Sequence, residues 1–294
     1  MLRAMSAGGG VLIRRPAALD VYPPGYGPLF DRAANLFAAD DRVRAMWVHG
    51  AMARGAADAG SDLDISVAIR DTDYQGFADG WRTWLAAIAP TLTARHTATG
   101  EGSFYALTTT CERFDVISEP VSKLASTPLS RRIVVFDKDD LDRLIPPPND
   151  PPPNVSALSY LIEETLRQAA NFPTVIVRQD WLLGVIAVQQ VQLFLYQLFA
   201  ESNKPMPPTG PKQWSFKLTA RQRQLLEALP VAAPSEQSVK NAREAAFAVF
   251  LAEAPAIAKS NGITWPSELE AAVRAFLVSA GLPLPASGGD QSRS

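Results

Sequence analysis

One cysteine, Cys111, and two histidines, His49 and His96, are the only soft metal ligands of their kind in the chain. A lone thiol cannot close an intramolecular disulfide, and no Cys/His cluster has the spacing of a zinc site. That usage fits a reducing cytoplasm, where the protein is expected to reside. Excess charge of either sign is also missing. With 28 Lys and Arg against 30 Asp and Glu, the formal charge of −2 leaves no net basic field to hold a polynucleotide by its phosphates, so no nucleic-acid partner is expected. Uninterrupted apolar runs are scarce as well. The nearest, Trp181 to Ala200, is broken by Gln189, Gln190, Gln192 and Gln197, whose amides would lack partners in hydrocarbon. It is expected to be a buried helix, with no membrane involved. Met1 to Pro16 carries only the short apolar stretch Val11 to Ile13, well short of a secretory core segment, so export by that route is not expected. No internal repeat is visible.

What is there is ample apolar material. Hydrophobic residues make up 47% of the 294 and charged residues 20%, enough for a core and too many for wholesale disorder. The length suggests two compact domains. The boundary reads directly as PPPNDPPPN, whose prolines donate no backbone hydrogen bonds and favour an extended spacer. The expected division is therefore a domain over 1–145, a linker over 146–154, a second domain over 155–282 and a flexible tail over 283–294. Before the linker, strand-like runs (Arg44–Val48, Leu63–Ile69, Phe104–Thr110, Arg113–Ser118 and Arg132–Phe136) alternate with helical ones (Pro28–Ala39 and Gly76–Ile88). After it the period changes to 3.6, predicting helices from a Ser156 cap to Ala170, from Pro173 to Glu201, and over Thr219–Leu229, Ser235–Lys259 and Ser267–Ala280. Lys204 to Pro211 reads as a loop.

The chemistry-bearing stretch is Val48 to Ile69, VHGAMARGAADAGSDLDISVAI. Alternation on the second strand points Asp62, Asp64 and Ser66 one way and Leu63, Ile65, Val67 and Ile69 the other, into the core. Two residues of rise is ~7 Å, close enough for both carboxylates to share a pair of metal ions roughly 4 Å apart. Unneutralised, these charges repel; a hard cation such as Mg²⁺ removes the conflict and prefers carboxylate and phosphate oxygens. Upstream, a strand that stops at Gly50 and feeds a helix amino terminus presents N–H groups suited to a triphosphate, and glycine allows close backbone approach.

This segment resembles the signature of the polymerase-beta-like nucleotidyltransferase superfamily: a glycine, usually followed by serine or glycine, then about ten residues and Asp-x-Asp. Those positions are Gly50, Ala51 and the pair Asp62 and Asp64, preceded by Ser61. Ala51 departs from the pattern by lacking a hydroxyl, although its N–H remains. The family adds a third carboxylate from a neighbouring strand, and Asp115 in ERFDVISEP sits in a suitable apolar run, with Glu112 and Glu119 as competing carboxylates. A small catalytic domain followed by a helical bundle is similar to the layout of antibiotic nucleotidyltransferases acting on aminoglycosides and lincosamides. GPKQWSFKL, Gly210 to Leu218, is similar to a lysine-tryptophan segment of such helical domains.

The resemblance implies an α+β fold, with a small mixed-sheet nucleotidyltransferase domain followed by an all-helical bundle. It implies two Mg²⁺ ions held by Asp62, Asp64 and Asp115, which are also the catalytic residues, with Asp115 in a second role as proton acceptor. ATP or another nucleoside triphosphate would be held by Gly50, Ala51, Arg54, Ser61 and Lys212. The implied reaction moves a nucleoside monophosphate, AMP in the first instance, to a hydroxyl of a small molecule, by a monomer or homodimer. Rival readings are an inactive nucleotide-binding module of the antitoxin kind, which Ala51 motivates, and a transferase that modifies proteins.

Several other residues read less specifically. Arg54 is placed to reach a phosphate or to pair with Asp58 at i+4. Lys212 and Lys217 are either surface lysines or phosphate contacts, and Asp180 is either a helix cap or an acceptor contact. His49 reads as structural, Trp81 and Trp84 as packing residues, and Cys111 as a small buried hydrophobe.

Overall fold

The computed structural model describes residues 2–6, 11–97, 102–129, 131–206 and 212–286. The chain divides into two compact units, with the change falling between Asn149 and Asp150, inside the proline run; Lys212, from later in the chain, groups with the first. The class is α+β: a mixed sheet in the first unit and helices in the second.

The first unit opens with an antiparallel hairpin, β1 (Leu2–Ser6) and β2 (Leu12–Pro16), followed by helix α1 (Tyr26–Ala39). Strand β3 (Val43–Val48) leads into the single turn α2 (Gly50–Ala53), and β4 (Leu63–Ile69) follows. Helices α3 (Tyr74–Asp79) and α4 (Trp81–Ile88), strands β5 (Thr91–His96), β6 (Ser103–Thr108) and β7 (Arg113–Pro120), and β8 (Ile133–Asp137) complete it. Six strands form one sheet in the order β5-β6-β7-β4-β3-β8, in which β4 and β7 are the parallel pair and all other neighbours are antiparallel. One face packs Leu63, Ile65, Phe114 and Val116 against Phe30, Phe37, Phe77 and Trp84. Trp81 and Trp84 are packing residues as expected, stacked on Phe104 and Phe77 respectively.

Topology brings three chain segments to one end of the sheet. Because β3 is antiparallel to β4, it finishes where β4 begins; because β7 is parallel to β4, it begins there too. The register pairs Asp64 with Asp115 directly across the two central strands.

Predicted strands agree to within a few residues, but β1, β2 and β5 were not foreseen. The helix expected over Gly76–Ile88 breaks at Gly80, and the one expected from Pro173 to Glu201 is two: α6 (Pro173–Arg178) and α7 (Trp181–Ser202). The second break is a Schellman motif, with Gln179 at φ 51° instead of glycine, Asp180 N–H on the Val175 carbonyl and Gln179 N–H on that of Ile176. Asp180 then caps α7, accepting from Leu183 N–H. Likewise α5 (Val155–Asn171) is capped by Asn154 rather than Ser156, while α8 (Ala220–Glu227) carries the full Thr219/Gln222 capping box. The remaining helices are α9 (Glu236–Ser260) and α10 (Ser267–Ser279).

Two burial expectations need correction. Cys111 is exposed, in a tight turn at φ 68°. Helix α7, long and apolar enough by length and composition to cross a membrane, is not buried all round. Val188, Val191, Leu195 and Leu198 enter the helical core, whereas Leu182 and Ile186 are 72% and 61% exposed, because neighbouring helices cover one face only. The loop expected over Lys204–Pro211 is irregular through Met206, and 207–211 lie outside the described residues. The tail is not free at its start: Leu284 is buried and Arg274 donates to the Pro285 carbonyl at 2.7 Å, while 287–294 lie outside the described residues.

Arg243 anchors the same tail from within the helical core. It is 4% exposed, donates to the Leu282 carbonyl at 3.2 Å and lies over the rings of Phe172 and Phe247, yet its Nε has no partner. Burial pulls its guanidinium down to about 10. Burying the cation costs desolvation that the ring contacts and the charge of Glu244 repay only in part. Arg243→Met, which keeps most of the volume, is therefore expected to hold stability within about 1 kcal/mol of the parent or improve on it. Arg243→Ala is expected to lose about 3 kcal/mol to the cavity. Urea denaturation of both variants checks the pair, and a Met variant as damaged as the Ala one would contradict it.

Candidate active site

Gly50 follows β3 at φ +61°, in the left-handed region that glycine adopts without penalty. The approach to β4 is closer still. A Cβ on Gly50 would lie 1.5 Å from Asp64 Oδ2, and the adjoining His49 N–H bonds the Asp64 carbonyl at 3.0 Å. The turn is thus pressed against the carboxylate. The helix expected after it is a single turn, so a macrodipole contributes little; its first N–H groups still have no partner inside the turn. Ala51, second in the turn, is buried.

Asp64 and Asp115 are paired across the strands, whose spacing puts their backbones about 5 Å apart, and the charge of Asp62 acts on both. Burial, then the charges of Asp62 and Asp115, push the Asp64 carboxyl up to about 7. Burial and Asp62 raise Asp115 as well. Asp62 goes the other way: burial opposes its ionisation, but Lys212 Nζ, 2.6 Å from its Oδ2, outweighs that and holds it below the usual carboxylate range. Among the described residues, no three His, Cys, Asp or Glu side chains are gathered closely enough to grip a metal ion as they stand. Asp62 is turned to the lysine. The donor chemistry of three carboxylates nevertheless suits a hard divalent ion.

The other nominated residues take differing places. Ser61 is buried, and its hydroxyl is engaged by Asp58, donating to Oδ1 and accepting from the Asp58 N–H, both at 3.0 Å; it builds the turn before β4. That arrangement also uses the Asp58 carboxylate, so the i+4 pair with Arg54 is not formed. Arg54 instead lends its charge to Asp64, with its Nε buried and unpartnered. Lys217 belongs to the second unit. Glu112 faces Thr108 and Thr110 rather than the aspartates.

His49 is structural in the sense expected, bonded to the Ile65 backbone and driven down to about 4 by burial, so it is neutral. Three residues were missed. Tyr22 Oη donates to the Asp62 carbonyl at 3.2 Å, Tyr26 Oη accepts from Arg113 N–H at 3.0 Å, and the Arg113 guanidinium bonds the Gly60 carbonyl. Arg113 was legible, because alternation places it on the same face as Asp115. The tyrosines were not, since their contacts reach about 40 residues or more along the chain.

No protein-family model matches the sequence, and no curated protein matches it. Among solved structures, the chain is similar to an aminoglycoside 6-adenyltransferase from Bacillus subtilis, with 14% identity and a TM-score of 0.41 over 87% of this chain and 97% of that one.

Proposed function

We propose that the chain is a Mg²⁺-dependent nucleotidyltransferase that moves a nucleoside monophosphate, AMP from ATP in the first instance, to a hydroxyl of a small molecule of the aminoglycoside or lincosamide kind. One observation supports the reading: Asp64 and Asp115 are paired at the sheet end where Gly50 is pressed against Asp64, with Asp62 near enough for its charge to act on both. The glycine and Asp-x-Asp spacing agrees with it.

Asp62, Asp64 and Asp115 would hold the divalent ions, which supply charge neutralisation for the triphosphate and the departing pyrophosphate. The chain's own part is to position and to take up a proton. Lys212 and Arg54 add positive charge beside the carboxylates, where phosphate oxygens would arrive. Asp115 accepts the proton of the acceptor hydroxyl as its oxygen bonds the α-phosphorus and the bridging P–O bond breaks, the electron pair leaving with pyrophosphate. Burial beside Asp62 makes Asp115 a better base than a free carboxylate.

The test is pyrophosphate release with each of the four triphosphates over a panel of hydroxylated acceptors, with and without Mg²⁺. Silence across the whole panel would count decisively against the proposal. With an acceptor in hand, Asp115→Asn is expected to lower turnover by about 10²- to 10⁴-fold, and full activity in that variant removes its role as base.

The Lys212–Asp62 pair also favours a second reading, in which the fold binds a triphosphate without turnover. Affinity for ATP that is indifferent to Mg²⁺ and to Asp62→Asn would select that module.

A further inference from the structure

The start of α1 and the segment ahead of it are fastened to the beginnings of both carboxylate-bearing strands through two phenols. Tyr22 and Tyr26 are 7% and 5% exposed, with ring centroids 5.2 Å apart, so the pair packs as one piece. One hydroxyl holds the carbonyl of Asp62, just ahead of β4, and the other holds the N–H of Arg113, the first residue of β7. The ladder between β4 and β7 begins only at Leu63 and Phe114. Asp62 therefore lies beyond the paired region, where Tyr22 and the Gly60–Arg113 bond hold its peptide and Lys212 holds its carboxylate.

We propose that Tyr22 and Tyr26 are positioning residues that fix Asp62 relative to Asp115 and so set the affinity of the site for divalent cations. This rests on the metal-binding reading above. Phenylalanine preserves both rings and their packing but removes the hydroxyls. The Asp62 carbonyl then loses a donor, and Arg113, whose guanidinium holds the Gly60 carbonyl, loses the acceptor of its N–H, so the peptide ahead of β4 is held less firmly against β7, where Asp115 stays paired. Groups that orient metal ligands in this way typically change metal affinity by about 10- to 100-fold when removed.

Mn²⁺ titration of the full-length chain, followed by electron paramagnetic resonance of the free ion, gives a readout independent of turnover. Tyr22→Phe and Tyr26→Phe are each expected to weaken Mn²⁺ binding about tenfold, with melting temperatures within about 3 °C of the parent. Tyr196→Phe is the control, since that hydroxyl is buried in the helical unit without a partner among the described residues; it is expected to leave Mn²⁺ affinity unchanged. Parent-like affinity in both Tyr22→Phe and Tyr26→Phe overturns the positioning role and leaves the metal reading intact. So does a loss of affinity that tracks melting temperature equally in all three variants. A parent protein that binds no Mn²⁺ at millimolar concentration overturns both.

Discussion

Asp64→Asn is expected to abolish nucleotide transfer and, in the absence of metal, to make the protein more stable. The two effects share one cause. Asp64 is the most strongly perturbed of the three carboxylates, pushed up to about 7 by burial and by its two acidic neighbours. Ionised, it supplies the charge a divalent ion needs; without the ion, that same charge is a liability. Neutralising it should cost at least about a thousandfold in rate, or about 4 kcal/mol of transition-state stabilisation.

The pH dependence follows from the direction of the shift. Below about pH 4 Asp64 is protonated in both folded and unfolded chains and contributes nothing unfavourable. Between the ordinary value of 3.8 and about 7, the folded state keeps a proton that the unfolded state has released, so stability falls as pH rises across that window and levels off above it. The full shift corresponds to about 4 kcal/mol at about 1.4 kcal/mol per unit; partial solvent contact reduces the expected gain from Asn to about 2 kcal/mol at pH 8. Urea denaturation of parent and variant at pH 4 and pH 8 without metal tests this, and saturating Mg²⁺ should erase the advantage by stabilising the parent alone. A variant no more stable than the parent at pH 8 would show that the carboxylates do not strain the fold.

The strands that carry the candidate site were legible in the sequence where the pattern alternates. β4 coincides with its predicted span because Leu63, Ile65, Val67 and Ile69 alternate cleanly, and that alternation alone puts Asp62 and Asp64 on one face. Asp115 was legible for the same reason on β7. Its exact partner was not, because the parallel register with Asp64 is set by β4, β7 and the chain between them. The Asp58 partner of Ser61 was not legible, since such hydroxyl-to-carboxylate turn bonds leave no trace in composition. The break at Gln179 was hidden because the left-handed cap there uses glutamine, whereas the familiar stop signal is glycine. β5 was missed because its exposed, weakly alternating residues, Leu92 among them, lack a core-facing pattern.

Gly50→Ala is expected to be far more damaging than a glycine replacement of the same backbone strain elsewhere. Gly262, after α9, has φ +68° and nothing within 4 Å of the Cβ an alanine would add, so Gly262→Ala should cost only the left-handed penalty of about 1 kcal/mol and leave transfer unchanged. Gly50 has nearly the same φ, +61°, but its Cβ would sit 1.5 Å from Asp64 Oδ2, 2.5 Å from Cγ and 3.0 Å from Cβ. Contact with Oδ2 alone could be relieved by rotating the carboxylate; contact with Cγ and Cβ cannot, because both lie close to the β4 backbone. Either Asp64 leaves its position or the turn withdraws from β4 and loses the His49-to-Asp64 bond. In both cases a carboxylate and the glycine turn separate, and a displacement of about 1 Å costs on the order of 10²-fold in rate. Gly50→Ala should therefore lose at least that factor, together with about 2–3 kcal/mol of stability. Measuring both variants for Mg²⁺-dependent turnover and urea midpoint separates strain from displacement. If Gly50→Ala behaved like Gly262→Ala in both assays, the close approach of turn and carboxylate would have no part in the reaction.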